Sequence, residues 1–75
     1  MKVLIQDRDS QLFLAYNGWT DDPKEAKDLG FTVHAHSVAN RMSLRTFQIL
    51  FYFPDIDYRV VVSDSESRLA EGREA

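Results

Sequence analysis

The chain has 75 residues, no cysteine and a net charge of −3. A chain of this length holds one domain, and packing alone must stabilise it because no disulfide can form. The negative charge argues against a dedicated nucleic-acid binder, which requires clustered lysine and arginine. The apolar run near the amino terminus is too short for a signal peptide or a membrane span, so we expect a cytoplasmic protein without membrane contact.

The first predicted elements are two short strands joined by a polar turn. Residues 2–6 and 12–16 are rich in branched and aromatic side chains, and the polar segment 7–11 separates them. This pattern is typical of a β-hairpin.

A short helix is expected next, over residues 22–29. Asp22 directly before Pro23 is typical of a helix N-cap followed by the favoured first helical residue. Asn17-Gly18 is expected to supply the positive backbone dihedral angles of a tight turn before the helix, and Gly30 suits the left-handed residue that ends a helix.

The pattern predicts a second helix over residues 33–43, with Thr32 as its N-cap. Its apolar side chains recur at the spacing of one helical face. These are Ala35, Val38, Ala39 and Met42, while His34, Ser37 and Arg41 face water.

Two further strands complete the predicted fold. Residues 46–53 alternate with period two and are apolar on both faces, which favours a place in the middle of a sheet. Residues 58–62 return as the partner strand after a turn. The element order is therefore β-β-α-α-β-β, an α+β fold with a four-stranded antiparallel sheet and two short helices on one face. We expect residues 1–63 to form this domain and residues 64–75 to be a polar tail, frayed or weakly helical.

No residue type in the chain points to catalysis or to a cofactor. His34 and His36 diverge on a helix and cannot converge on one metal ion. Three acidic pairs lie in predicted turns or in the tail, where aspartate caps the backbone: Asp7 with Asp9, Asp55 with Asp57, and Asp64 with Glu66. There is no cysteine nucleophile and no glycine-rich phosphate loop, so we expect a non-enzymatic protein with no metal, no cofactor and no small-molecule substrate.

Residues 16–26, Tyr-Asn-Gly-Trp-Thr-Asp-Asp-Pro-Lys-Glu-Ala, carry the one resemblance in the chain. They resemble a segment of small uncharacterised bacterial and phage proteins, in which a strand, a Gly-Trp-Thr-x-Asp turn and a short helix follow one another. The resemblance implies a compact α+β module and brings no known activity and no catalytic residues. Within this segment Trp19 either closes the end of the core or is an exposed aromatic anchor for a partner.

The functional prediction comes from side chains that two helices on one face cannot cover. Strand alternation places Leu4, Phe13, Leu50, Tyr52 and Val61 on the opposite face of the sheet. An apolar patch of this kind is typical of an interaction surface. We therefore expect a protein-interaction module that binds a protein partner or a second copy of itself through this face.

The alternative function is a weak nucleic-acid-associated module. Arg41, Arg45 and Arg59 could gather near one end of the second helix and form a modest basic patch. The net negative charge makes nucleic acid the less favoured partner.

Overall fold

The computed structural model describes residues 1–65 of the chain. In chain order the elements are β1 (Lys2–Asp7), β2 (Phe13–Ala15), β3 (Gly18–Thr20), α1 (Thr32–Arg41), β4 (Phe47–Phe53) and β5 (Tyr58–Asp64). The five strands form one antiparallel sheet in the order β3-β2-β1-β4-β5. Asp64, which the sequence predicts to be part of a polar tail, is the last residue of β5, and residues 66–75 of that tail lie outside the described residues.

The prediction of four strands and two helices is wrong. The α+β class holds, but the sheet has a fifth strand, β3, and the described residues contain one helix, α1. Residues 22–29, predicted as the first helix, form turns and an irregular segment instead. None of the helices of the described residues is long and apolar enough to span a membrane.

Residues 26–29 are not helical because the backbone N–H groups of Lys27 and Leu29 bond to strands. Lys27 N–H donates to the carbonyl of Leu14 in β2, and Leu29 N–H donates to the carbonyl of Val3 in β1, both at 2.8 Å. In a helix each would bond to the carbonyl four residues earlier. The side chains of Ala26 and Leu29 also enter clusters on opposite faces of the sheet, whereas residues three apart on a helix share a face.

This segment therefore lies between β1 and β2, which pair in register at Gln6 and Phe13 alone. Asp28 fixes the segment to β1, because its Oδ1 accepts the N–H of Val3 at 3.0 Å and the N–H of Gly30 at 2.9 Å. The bond from Val3 is the main reason that the pKa of Asp28 lies below its ordinary value of 3.8. Gly30, predicted as a helix C-cap, has the expected positive φ of 90°, but it ends this segment rather than a helix.

Strand β3 follows a two-residue turn and occupies residues that the sequence predicts to be part of the turn before the first helix. Gly18 begins β3 with a φ of 141°, and Trp19 pairs with Leu14 of β2. The turn consists of Tyr16 and Asn17, and Gly18 pairs with Ala15 as the first residue of β3, so of the Asn-Gly pair only the glycine has the predicted positive φ. Trp19 is 39% exposed, so it is a partly exposed side chain on the outer strand of the sheet and not a plug in the core.

Helix α1 is shorter than predicted and packs one face on the sheet. Its N-cap is Phe31 rather than Thr32, and no side-chain hydrogen bond caps it. Ala35 and Ala39 are fully buried, while Met42 is 40% exposed beyond the helix end. The two alanines allow close approach to the sheet. They pack on a cluster that contains Val3, Ile5, Leu14, Leu29, Phe47 and Ile49, with Val38, Leu44 and Phe51 at its border.

The β4–β5 hairpin forms the other side of the sheet. Strand β4 lies between β1 and β5, so it is an internal strand, as the sequence predicts for residues 46–53. Ser63 pairs with Ile49 and Val61 pairs with Leu50, so Val62 is the extra residue of a β-bulge in β5.

Candidate interaction surface

Four of the five side chains of the predicted interaction face come together, but they are buried. Leu4, Phe13, Leu50 and Tyr52 form one cluster on the sheet face away from α1, and Ala26 packs into it. Each of these four predicted side chains is at most 3% exposed, whereas the fifth, Val61, is 48% exposed. The apolar face that we expected to be open therefore presents almost none of its central side chains to a partner.

Polar groups close the rim of this face. The Tyr52 hydroxyl donates to Asp57 Oδ1 at 3.1 Å, and the guanidinium carbon of Arg59 lies 5.7 Å from the centre of the Phe13 ring. Burial, together with the bond to Asp57, raises the pKa of Tyr52 above its ordinary value of 10.0. Tyr52 is thus held as a neutral phenol that donates a hydrogen bond, which is a structural role.

A continuous run of exposed apolar side chains lies instead along β5. Tyr58, Val60, Val61 and Val62 are 54%, 37%, 48% and 41% exposed. Strand β5 is at one end of the sheet order, and no other described strand pairs with its outer edge. Its outer N–H and C=O groups therefore form a row that another strand could complete.

The two edges of the sheet differ in length and protection. The opposite edge is β3, which has 3 residues, whereas β5 has 7. Short edge strands, charges and bulges are the usual protection against pairing with another chain. In β5 the protection consists of the charges of Arg59 and Asp64 and of the bulge at Val62, and the valines between the two charges remain exposed.

A groove of about 450 Å³ runs between the start of α1 and strand β5. Its lining residues are Thr32, Val33, His36, Phe51, Val62 and Ser63. At its base Nε2 of His36 lies 2.8 Å from Oγ of Ser63, and the His36 ring meets Phe47 edge-on at 5.6 Å. The contact between His36 and Ser63 joins the end of β5 to α1. Strand β5 is therefore in contact with α1 as well as with its partner strand β4.

His34 and His36 have different surroundings, although the sequence predicted ordinary surface positions for both. The ring of His34 lies 5.9 Å from the ring of Phe31 near the start of α1. His36 is half-buried against the sheet, and its contact with Ser63 could not be anticipated because the two residues are 27 positions apart. In the described part of the chain, no three histidine, cysteine or acidic side chains come together as metal ligands would.

In each acidic pair of the described turns, one aspartate accepts hydrogen bonds from the protein itself. Asp7 accepts the N–H of Asp9 at 3.1 Å and the hydroxyl of Ser10 at 3.0 Å. Asp57 adopts a positive φ of 49° in the turn before β5 and accepts the Tyr52 hydroxyl. These bonds are the turn-forming role that aspartate commonly has.

The three arginines of the nucleic-acid alternative do not form one patch. Arg41 is the last residue of α1, on the helix side of the sheet, and Arg45 lies in the connection between α1 and β4. Arg59 pairs with Tyr52 and lies over Phe13, on the face away from α1. The geometry therefore does not favour the nucleic-acid alternative, which rested on all three.

Comparisons with protein-family models, with curated proteins and with solved structures yielded no match to this chain.

Proposed function

We propose that this chain is a non-enzymatic protein-interaction module and that it acts by accepting a β-strand at the outer edge of β5. The observation that supports it is the exposure of the Val60–Val62 run on a seven-residue edge strand whose outer side pairs with no strand of residues 1–65. Strand addition draws affinity from main-chain hydrogen bonds and specificity from the side chains that flank the strand.

The surroundings of β5 suit this role. The groove beside α1 adjoins the edge on one face, where Val33 is 74% exposed and Val62 is 41% exposed. An added strand directs alternate side chains to each face of the sheet, so every second side chain could contact this groove. The cytoplasmic location expected from the sequence belongs to the same proposal.

The proposal is tested by selection from a library of random peptides of about seven residues, the length of β5. The purified chain is the bait, and the Val61→Lys variant is the matched control. Val61 is exposed, so a lysine there leaves the fold intact while it places a charge beside the edge. We expect enrichment of peptides with alternating branched residues that bind the wild type at least tenfold more tightly than the variant.

Amide hydrogen exchange then locates the bound peptide. Slower exchange in β5 on peptide binding supports the proposal. A selection that enriches nothing, or peptides that bind wild type and Val61→Lys equally and protect other elements, contradicts it.

A further inference from the structure

We infer that the strand accepted by β5 is β5 of a second copy of this chain, paired antiparallel about a twofold axis. This inference rests on the function proposed above and names the partner. The resulting dimer has one continuous sheet formed by the five strands of each copy.

The charges of β5 favour this pairing. The strand carries one cation near its start, Arg59, and one anion at its end, Asp64. Arg59 pairs with Tyr52 and Asp64 pairs with Gln48, and because Tyr52 and Gln48 are four residues apart on β4, both charges lie on the same sheet face. Antiparallel pairing of two β5 strands brings Arg59 of each copy toward Asp64 of the other, twice in one dimer. Parallel pairing would bring like charges together.

The apolar side chains of β5 are also self-complementary. Val60 lies on the helix face and Val61 on the other face, since their partners on β4 are the neighbours Phe51 and Leu50. A second copy therefore brings branched side chains to both faces of the new strand pair, where cross-strand valine contacts are favourable. The groove residue Val33 extends this contact on the helix face.

The dimer is closed and weak. Each copy uses β5, the longer edge of the sheet, and the other edge among the described residues is the three-residue β3, so growth stops at two copies. The contact consists of one strand pair with its flanking side chains, below or near the limit of about 1,200 Å² for stable complexes. We therefore expect a dissociation constant on the order of 10–500 µM.

Sedimentation equilibrium from about 5 µM to about 1 mM, a range that brackets this constant, tests the inference with the whole chain. We expect the wild type to dimerise in that range and Val61→Lys to weaken the association at least tenfold.

Charge exchange tests the pairing geometry. The single variants Arg59→Glu and Asp64→Lys each place like charges opposite one another and are expected to be monomeric. In their equimolar mixture the introduced glutamate of one variant faces the introduced lysine of the other, and the remaining Arg59 faces the remaining Asp64. The mixture is therefore expected to form a heterodimer within about threefold of the wild-type constant.

A wild-type chain that remains monomeric at the highest concentration overturns the second-copy inference, as does a dimer that Val61→Lys does not weaken. A mixture that fails to associate although each variant keeps its circular dichroism spectrum overturns the pairing geometry. Peptides selected on β5 would still uphold strand addition in that case, with another protein as the partner. If Arg59→Glu fails to fold, the sedimentation comparison of wild type with Val61→Lys still tests whether the chain dimerises through β5.

Discussion

Replacing Asp28 by alanine tests why residues 22–29 depart from a helix. The Asp28 carboxylate holds the N–H of Val3, a residue that is 1% exposed, and the N–H of Gly30, which is exposed. Without the carboxylate the buried Val3 N–H loses its hydrogen-bond partner, at a cost of about 1–3 kcal/mol. The exposed Gly30 N–H can instead donate a hydrogen bond to water. We therefore expect Asp28→Ala to lower the free energy of unfolding by about 2 kcal/mol.

Asp22 provides the matched comparison. Its Oδ1 accepts one bond, from Lys24 N–H at 2.9 Å, in an exposed turn, so Asp22→Ala is expected to lower the free energy of unfolding by only about 0.5 kcal/mol. A helix over 22–29 predicts the reverse order. Asp22 would then be an N-cap worth about 1 kcal/mol, and Asp28 would be an unfavourable anion in the last turn.

Urea unfolding of the wild type and both variants measures this difference, with equal slopes as the check that the unfolded states are comparable. For a domain of this size, a loss of about 2 kcal/mol corresponds to a fall of about 10 °C in Tm. The result that refutes the reasoning is a greater loss for Asp22→Ala than for Asp28→Ala. Asp28→Asn keeps an acceptor oxygen and is expected to lose about half as much as the alanine variant.

The pH dependence gives a second measurement on Asp28. Its pKa is lower in the folded state, because the Val3 N–H stabilises the carboxylate, so the unfolded chain binds the proton more tightly. The stabilisation is fully present above the ordinary pKa of 3.8 and is lost as the pH falls below that value. Asp28→Asn is expected to flatten this part of the stability curve, and an unchanged acid limb would contradict the assignment.

Three further predictions concern the core and its rim. Leu50→Glu is expected to cost at least about 3 kcal/mol and to abolish folding, because Leu50 is 3% exposed; a folded variant would show that this face is open after all. The raised pKa of Tyr52 means that stability is full below pH 10.0 and falls as the pH rises through the higher folded value, and Tyr52→Phe is expected to remove that alkaline loss in chemical denaturation. Leu29→Ala is expected to cost about 2–4 kcal/mol by the same assay, whereas a loss below about 1 kcal/mol would mean that residues 26–29 are not packed between the strands.

The sequence predicts the strongly periodic elements to within a few residues. Strands β1, β4 and β5 and helix α1 each carry a pattern of apolar residues that fits one secondary structure. Alternation also places Val3 and Ile5 on the helix side and Leu4 on the other side, as the two clusters show. Period and face are local properties, so a single sequence can reveal them.

Residues 22–29 could not be predicted in the same way. Asp22, Pro23 and Gly30 are good helix-boundary signals, but each is equally suited to a turn. Whether the segment forms a helix or a turn depends on the hydrogen bonds that Lys27 and Leu29 donate to strands more than ten residues earlier in the chain. Those bonds are tertiary, and they outweigh a helix that is too short to be stable on its own.

The exposed edge of β5 could not be predicted from the sequence because it depends on the order of the strands in the sheet. The sequence identifies Val61 as a residue of an apolar strand, but it does not show whether that strand is internal or at an edge. The edge position of β5 makes its valines an exposed surface, and the segment between β1 and β2 adds Ala26 to the opposite face. Both facts follow from topology rather than from residue pattern.

The most direct test of β5 as the interaction surface is a series of amide NMR spectra of the isotope-labelled chain from about 20 µM to about 1 mM, across the expected dissociation constant. The account predicts concentration-dependent shifts in Tyr58–Asp64 and in the groove residues Thr32 and Val33, and none of these shifts in Val61→Lys. Spectra that do not change with concentration, or shifts confined to β3 or the end of α1, would contradict it.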